Sequence, residues 1–523
     1  MNVKPQLIAE ENPFAEAEEK FSALTAELLA VGAANLSHSE AEELVEENGR
    51  EVLRALLQGY LQMRSFDEAG PVVVGSDAVA RSHRRVRSIS MVSIFGEVQI
   101  ARQTYGARGA TSVTPLDSAL NLPNQRYSFG VIKRVAEEAA TGSYDDAIDT
   151  VSRLNGIHVP KRQAEQITVA SAVDFDAFYE QRTQAEAPAS LDDAAGMLIL
   201  TTDGKGIVMR HDSLTDKTRQ AADSAVPHLK TRQSKGEKAN RKRMAQVASV
   251  YCVAPWARVP EDFMKELRPI HDVATQRPRP VTKRLWASVK KPMEGVITEM
   301  FDEALCRDSQ CRKTWVGLVD GNPFQLGDLL AGADMNQVKL VVIIDIIHVI
   351  EYLWKAAWCF FKEGDRAAEA WVSERQLEVL RGNCSQVAKG IRRMATCRKL
   401  NPVERKAADK CSNYLLKYKE YMKYNKYLAA GMPIATGVIE GACRYLVKDR
   451  MDITGARWGL DGAEAVLKLR ALRVSGDLVE YWKFHQQQEL QRNHLCHYAD
   501  NTIPSFERYQ LAAPKKPNLQ LVK

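Results

Sequence analysis

The chain has 523 residues, of which 45% are hydrophobic and 26% charged, and these values indicate a globular protein of about two to four domains rather than a disordered chain. Its formal net charge of +6 gives only weak support for a nucleic-acid partner. The nine cysteines include no C-x-x-C pair, which excludes a zinc ribbon and a disulfide framework and favours the cytoplasm. The most apolar stretch, 338–350, is interrupted by Asp345 and His348, which excludes a membrane span.

The N-terminal region changes from a helical to a strand pattern. Residues 12–63 repeat apolar side chains at helical spacing, and the first residues show no basic flank ahead of an apolar run, so a secretory signal is not expected. Residues 81–87 form a basic arm that leads into the alternating residues 88–105, where Gly96 marks the turn of a hairpin. The arm and hairpin could grip DNA or form a solvated edge strand, and the pattern leaves both open.

A helix-turn-helix pattern follows the hairpin. Helices are predicted over 127–141, 143–154 and 161–179. Gly156 provides the turn, and Lys161 and Arg162 open the third helix, at the end where a recognition helix contacts DNA. An ordinary helical hairpin would give the same pattern. Residues 184–193, rich in alanine and acid, are predicted to form a linker.

The second half of the chain has an α/β pattern. Strands are predicted over 197–202, 207–210, 244–253, 314–319 and 338–344. Helices are predicted over 281–305, 324–332 and 349–361. The predicted order is three strands, a helix, a strand, a helix and a strand. This is the order of elements in a ribonuclease-H-like mixed sheet, so we expect an α/β protein with such a catalytic core. Residues 362–428 are helical and basic, which predicts a helical insertion, and the N-terminal DNA-binding region is expected to be mainly helical.

Three acidic residues occupy positions that this fold brings together. Asp203 and Asp320 each end a predicted strand and precede a glycine, which permits close backbone approach. Glu440 lies on a helix that begins near Thr436. Carboxylates suit Mg²⁺, and two such ions about 4 Å apart can activate the attacking oxygen and stabilise the leaving oxygen in an in-line displacement. Each acid alone is more simply a turn or surface residue, but the set predicts a metal-dependent phosphoryl-transfer site.

Basic residues surround Glu440 in the sequence. Phosphate contacts are predicted for Arg444, Lys448, Arg450 and Arg457. Trp458 could stack on an unpaired base at the cut end or could anchor its loop into the core. The next helix is predicted to begin with a capping box formed by Asp461 and Glu464.

Four segments resemble the bacterial insertion-sequence transposases of the ISKra type, within the Mutator-like DDE group. They are LILTTDGKGIVM, TWVGLVDGNPFQ, VVIIDIIHVIEYLWKAA and GVIEGACRYLVKDRMDITGARWGLDGAEAVLKLRAL. The similarity extends over about residues 84–473, and the last motif is highly specific. It implies a ribonuclease-H-like core, dependence on a pair of Mg²⁺ ions (or Mn²⁺), and cutting and joining of element ends. The cysteine-pair zinc signatures that some relatives carry near the N-terminus are missing from this sequence.

The resemblance also assigns roles to individual residues. Asp203, Asp320 and Glu440 would form the catalytic and metal-binding triad. Asp345 and His348 match the Asp or Cys, two residues, then His that follow the fifth strand in this group. Asp345 also ends a predicted strand and is the alternative second acid, although its place after the fifth strand favours Asp320. The pair could instead brace the start of the following helix.

These patterns predict seven regions. They are an acidic helical region (1–70), a basic arm and hairpin (71–125), a helix-turn-helix-like region and linker (126–190), the first part of the core (194–361), a helical insertion (362–432), the catalytic and closing helices (433–492) and a loose tail (493–523). The expected partners are element-end and target DNA, bound by a homodimer in the cytoplasm or on the nucleoid, with no membrane. A metal-dependent nuclease that does not join strands, and a non-catalytic DNA-binding regulator, are the alternative functions.

Overall fold

The structure is a computed structural model that describes residues 12–184, 196–226, 231, 235–266, 277–453 and 455–507. It is a mixed α/β protein. The chain divides into two compact units, one of residues 1–174 with 479–523 and one of residues 175–478. In the part of the chain just defined, no helix is both long and apolar enough to cross a bilayer.

The strands, in chain order, are β1 (Val73–Val74), β2 (Ala80–Arg81), β3 (His83–Ser93), β4 (Gly96–Ala107), β5 (Ala110–Val113), β6 (Met197–Val208), β7 (Lys242–Val253), β8 (Val281–Ser288), β9 (Thr314–Val319) and β10 (Leu340–Ile344). The first helices are α1 (Ala15–Leu29), α2 (His38–Ser65), α3 (Pro115–Ala119), α4 (Phe129–Thr141), α5 (Tyr144–Asn155), α6 (Lys161–Ala170), α7 (Phe175–Gln184), α8 (Asp216–Asp223), α9 (Lys235–Ala239), α10 (Pro260–Glu266) and α11 (Met293–Arg307). The remaining helices are α12 (Pro323–Met335), α13 (Ile346–Ala357), α14 (Arg366–Leu380), α15 (Cys384–Cys397), α16 (Lys406–Tyr418), α17 (Tyr424–Ala429), α18 (Gly437–Ala442), α19 (Asp449–Met451), α20 (Leu460–Ser475) and α21 (Leu478–Asn493).

The first unit contains the predicted hairpin. Strands β3 and β4 pair antiparallel from His83 with Gly106 to Ser93 with Gly96, so the turn lies where the sequence indicated. The prediction of a separate basic arm was wrong for residues 83–87, because they pair with β4 and are part of β3. Arg81, just before β3, is buried.

The helices of the first unit follow the sequence pattern closely. Helix α5 ends at Gly156, which adopts a left-handed conformation with φ of 66°, as the glycine turn predicted. The third predicted helix is divided by turn residues 171–174 into α6, which belongs to the first unit, and α7, which belongs to the second. Recognition of DNA by this region stays a prediction. Residues 185–193 of the predicted linker lie outside the described residues, and so do residues 508–523 of the predicted tail.

A five-stranded mixed sheet organises the second unit. Its strand order is β10-β9-β6-β7-β8. Strands β10 and β9 run parallel to the central strand β6, whereas β7 runs antiparallel to both of its neighbours, β6 and β8. The core strands are almost continuously apolar, and Leu198, Ile199 and Leu200 are fully buried. Helix α11 packs against β7 and β6, and α20 packs against β8.

Two predicted boundaries in this sheet were wrong. The strands predicted over 197–202 and 207–210 are one strand, β6, which pairs with β7 as far as Val208 with Lys242. The glycines at 204 and 206 do not end it, because both keep an extended conformation that the neighbouring strand supports. Residues 281–288 are the edge strand β8 rather than the start of a helix, and the helix begins after Pro292, a helix-starting residue.

The predicted helical insertion is helical in the structure. Helices α14, α15, α16 and α17 cover most of residues 366–429, and α13 packs against both α14 and α16. The segment between β6 and β7 contains the short helices α8 and α9 in its described part.

Candidate active site

The structure brings together five residues, Asp203, Asp320, Asp345, His348 and Glu440, which we call the acidic cluster. Three of its members, Asp345, His348 and Glu440, place ligand atoms within 4.8 Å of one another. Their elements are far apart in sequence and meet at the sheet and the helices that follow it.

Asp345 is the buried centre of this cluster. It follows β10 and caps helix α13, where its Oδ1 accepts a hydrogen bond from the Ile347 backbone amide at 2.9 Å. The Thr436 amide donates to the same oxygen at 3.4 Å, and the Thr436 hydroxyl donates to Oδ2. The carboxylate is fully buried. These bonds fix the position of Asp345 and also tie the start of the Glu440 helix to the end of β10.

His348 lies between two carboxylates. Its Nδ1 is 3.4 Å from Asp345 Oδ2, and its Nε2 is 4.0 Å from Asp320 Oδ2. The hydrogen bond to Asp345 raises the pKa of His348 to about 9, although burial opposes this shift. The ring is therefore an imidazolium near neutral pH, and it reduces the repulsion between the two acids.

Asp320 follows the end of β9, as predicted, and remains half-buried. Its Oδ1 accepts a hydrogen bond from the Asn322 amide at 2.8 Å, while its Oδ2 faces His348. Gly321 has φ of +86° and passes so close to Tyr414 that an added Cβ would lie 2.9 Å from the phenol oxygen. Tyr414 donates a hydrogen bond to the Asp320 carbonyl at 2.8 Å. A glycine is required here for both conformation and space.

Glu440 and Asp203 lie against the same helical turn. Glu440 is on α18, and Cys443, three residues later, donates a hydrogen bond from Sγ to Asp203 Oδ2 at 3.2 Å. Asp203 belongs to β6 and pairs with Val247, so the prediction that it ends a strand was wrong. Burial raises the pKa of Glu440, and the charges of Asp345 and Asp203 raise it further. The direction of this shift indicates that the carboxylates of Asp345 and Asp203 repel that of Glu440.

The helix after Glu440 changes type. Residues 443–448 form a π-helical stretch between α18 and α19, which places Arg444 and Lys448 differently from a regular α-helix. Arg470 donates hydrogen bonds to the Tyr445 and Leu446 carbonyls and so satisfies part of this irregular backbone. Burial lowers the pKa of Arg470 to about 10.

The basic residues predicted to contact DNA fall into two groups. The exposed members are Arg444, Lys448, Arg457, Lys161 and Arg162. The Lys161 ammonium is already 2.5 Å from Asp145. Arg450 and Trp458 are buried, with the guanidinium carbon 4.8 Å from the ring centroid. The Trp458 indole donates to the Met451 carbonyl at 3.0 Å, so Trp458 anchors its loop, which is one of the two roles that the sequence left open. A contact of Arg450 or Trp458 with DNA stays a prediction.

The predicted capping box of α20 was also wrong. Gly459 caps this helix without a side-chain bond. Glu464 is buried and accepts hydrogen bonds from the Ser288 hydroxyl and the Val289 amide. Asp461 instead pairs with Lys290 at 2.5 Å. Asp461 and Glu464 therefore bond to residues at and just after the end of β8 instead of forming a capping box.

Three residues that support the cluster were not predicted to do so. Thr436 was identified only as a cap, and its hydroxyl instead binds Asp345. Cys443 and Tyr414 gave no sequence signal, because their partners are distant along the chain. A group with similar ligand types, Asp174, His485 and Glu489, lies in the first unit, where Arg492 donates to both acids.

No protein-family model matches the chain, and no curated protein matches it significantly.

Proposed function

We propose that this protein is a DDE-type transposase that cuts and joins the ends of an insertion sequence by Mg²⁺-dependent phosphoryl transfer. Asp203, Asp320 and Glu440 would hold the cations, and Asp345 with His348 would position these cation-binding residues. The fold supporting the proposal is a ribonuclease-H-like core, to which we assign the five-stranded sheet.

The strand order supports this assignment. Strands β6, β7 and β8 form an antiparallel meander, and β9 and β10 add in parallel on the other side of β6. The sequence of elements after β8, which is helix, strand, helix, strand and helix, agrees with the same arrangement. Fold alone does not define a function, so the site must supply the argument.

The observation that carries the proposal is the convergence of carboxylates from four separate elements. Asp203 comes from β6, Asp320 from the end of β9, Asp345 from the end of β10 and Glu440 from α18. Side chains that repel one another are held together here by hydrogen bonds from Cys443, His348 and Thr436. Carboxylate oxygens are the ligands that Mg²⁺ prefers, so the donor set fits this ion.

The residues of the cluster would share the work of the reaction. Cations bound by the carboxylates would activate the attacking oxygen and stabilise the leaving oxygen. Asp320 and Glu440 remain accessible and could take part in binding, whereas Asp345 is enclosed and orients His348. The exposed side chains of Arg444, Lys448 and Arg457 would neutralise DNA phosphates, so binding should weaken steeply with salt.

The test uses the full chain and labelled DNA that carries the inverted repeats flanking its coding region. We expect nicking in Mg²⁺ that EDTA abolishes, and Glu440→Gln to abolish nicking while leaving DNA binding within about twofold. Glu363→Gln, at an exposed acid outside the cluster, is the matched control and should cut normally. Nicking by Glu440→Gln in Mg²⁺ would show that the triad is misassigned.

A second assay separates transposition from simple hydrolysis. Pre-cut ends with a free 3′-hydroxyl are incubated with target DNA and Mg²⁺. Joined products support the transposase, whereas hydrolysis without joining would identify a nuclease built on the same site.

A further inference from the structure

A cavity of about 560 Å³ lies directly beside Asp320. It is lined by the Asp320 turn, by His348 and by helix α16 from the helical insertion. This volume is within the range of about 300–1,000 Å³ that is typical of ligand-binding sites. Two residues proposed for phosphoryl transfer, Asp320 and His348, thus line a space to which the helical insertion also contributes.

The wall formed by α16 is basic. Lys410, Asn413 and Lys417 are spaced by three and four residues, so they share one face of the helix, and all three are exposed. Within the described part of the chain, neither lysine has a carboxylate partner, because the adjacent Asp409 is paired with Arg405 at 2.8 Å. The Lys410 and Lys417 ammonium groups lie 5.8 and 4.8 Å from the Tyr352 and Tyr418 ring centroids, contacts that leave their charges unneutralised. This wall therefore favours an anionic ligand with separated charges, such as successive phosphates.

An exposed aromatic ring completes the cavity. Phe324, in the first turn of α12, is 76% exposed. The other ring beside Asp320 that could face a ligand, Tyr352, is already stacked on Tyr414 with centroids 4.1 Å apart. Phe324 therefore offers the open ring face on which a planar base could stack.

We propose that this cavity binds a single-stranded DNA segment next to the phosphate at the acidic cluster. Lys410 and Lys417 contact its backbone, and Phe324 stacks on a base. Single-stranded DNA is specified because a base inside a duplex is covered on both faces and cannot reach a protein ring. The inference rests on the proposed function and deepens it, since it gives the helical insertion a role in holding the opened strand.

The backbone contacts are tested with full-length protein carrying Glu440→Gln in EDTA, so that no cutting occurs. Fluorescence anisotropy measures the binding of a labelled single strand and of a duplex of the same sequence over a range of salt concentrations. We expect K410Q/K417Q to weaken single-strand binding about tenfold and to lower the slope of log K against log salt by about 1.4, because two contacts are lost. The charge-matched control, K362Q/K389Q, alters exposed lysines outside the cavity and should change the affinity less than twofold.

The base contact is tested separately at Phe324. Phe324→Ala should weaken single-strand binding about tenfold and leave duplex binding unchanged, and Phe324→Trp should restore it, because stacking needs only an aromatic face. A 2-aminopurine base in the strand should be quenched by the wild-type ring and by Trp, but not by Ala. Equal binding by the Ala and Trp variants, or an equal loss on single strands and duplex, would overturn the proposal.

The outcomes also separate this inference from the proposed function. If the cavity variants lose single-strand binding but the wild type never cuts in Mg²⁺, the DNA site stands and the transposase does not. If the wild type cuts and joins DNA and the cavity variants bind as it does, the function stands and the inference fails.

Discussion

Replacing Asp345 distinguishes a carboxylate that holds the site together from one that binds a cation. In Asp345→Asn, the amide oxygen can still accept from the Ile347 and Thr436 backbone amides. The amide nitrogen replaces Oδ2, which accepts from both His348 and the Thr436 hydroxyl. The hydrogen bond to the charged imidazole is lost and the hydroxyl must reorient, so we expect a cost of about 1.5–3 kcal/mol in the free energy of unfolding. Asp345→Ala leaves every one of these buried donors without its acceptor, and we expect about 3–5 kcal/mol.

Asp320→Asn is the variant with which the stability and cleavage activity of Asp345→Asn are compared. Asp320 is half-buried, and its single backbone partner, the Asn322 amide, can be kept by an amide oxygen. We therefore expect a change within about 0.5 kcal/mol, the usual range for a substitution outside the core. Cleavage should be abolished in Asp320→Asn and only reduced in Asp345→Asn, because Asp345 acts by positioning its neighbours.

Differential scanning calorimetry of the full chain measures the stability, and nicking of element-end DNA in Mg²⁺ measures the activity. The reasoning fails if Asp345→Asn is as stable as the wild type, since the hydrogen bonds to Oδ2 would then contribute little. It also fails if Asp320→Asn cuts DNA while Asp345→Asn does not, because Asp345 would then be the second acid.

Three further predictions concern other buried groups. Asp174→Asn should cost about 3–5 kcal/mol, measured by urea unfolding. Burial alone would raise the pKa of this acid, but hydrogen bonds from a neighbouring imidazole and from Arg492 lower it. The stabilisation should therefore be complete above about pH 4 and be lost as the pH falls through the lowered folded pKa, and a pH-independent loss would contradict this. The imidazole signals of His348 should titrate near pH 9 in NMR of the metal-free protein. The stability that the His348 imidazolium contributes is then complete below about pH 6.5 and is lost as the pH rises through 9. Titration near 6.5 would show that its acid partners are not in place. Trp458→Phe should cost about 1–3 kcal/mol, since it leaves the buried Met451 carbonyl unpaired, and DNA affinity should not change; a selective loss of DNA binding with unchanged stability would restore the stacking role.

The sequence by itself determined the local elements. Alternation around Gly96 predicted the hairpin, Gly156 predicted the helical turn, and the apolar runs at 314–319 and 338–344 predicted β9 and β10. Such features depend on residues that are close in the chain, where conformational preference and side-chain period act directly. The five members of the acidic cluster were also all named from the sequence, through strand ends, helix position and motif resemblance.

Only the tertiary structure decided how those residues are used. Asp203 lies within a strand because β7 continues to pair with it, and Glu464 serves β8 instead of its own helix. Trp458 and Arg450 are buried against each other although their sequence suggests exposure on a polar loop. In each case the deciding partner is supplied from elsewhere in the fold, and burial makes an unmet hydrogen bond costly enough to override the local preference.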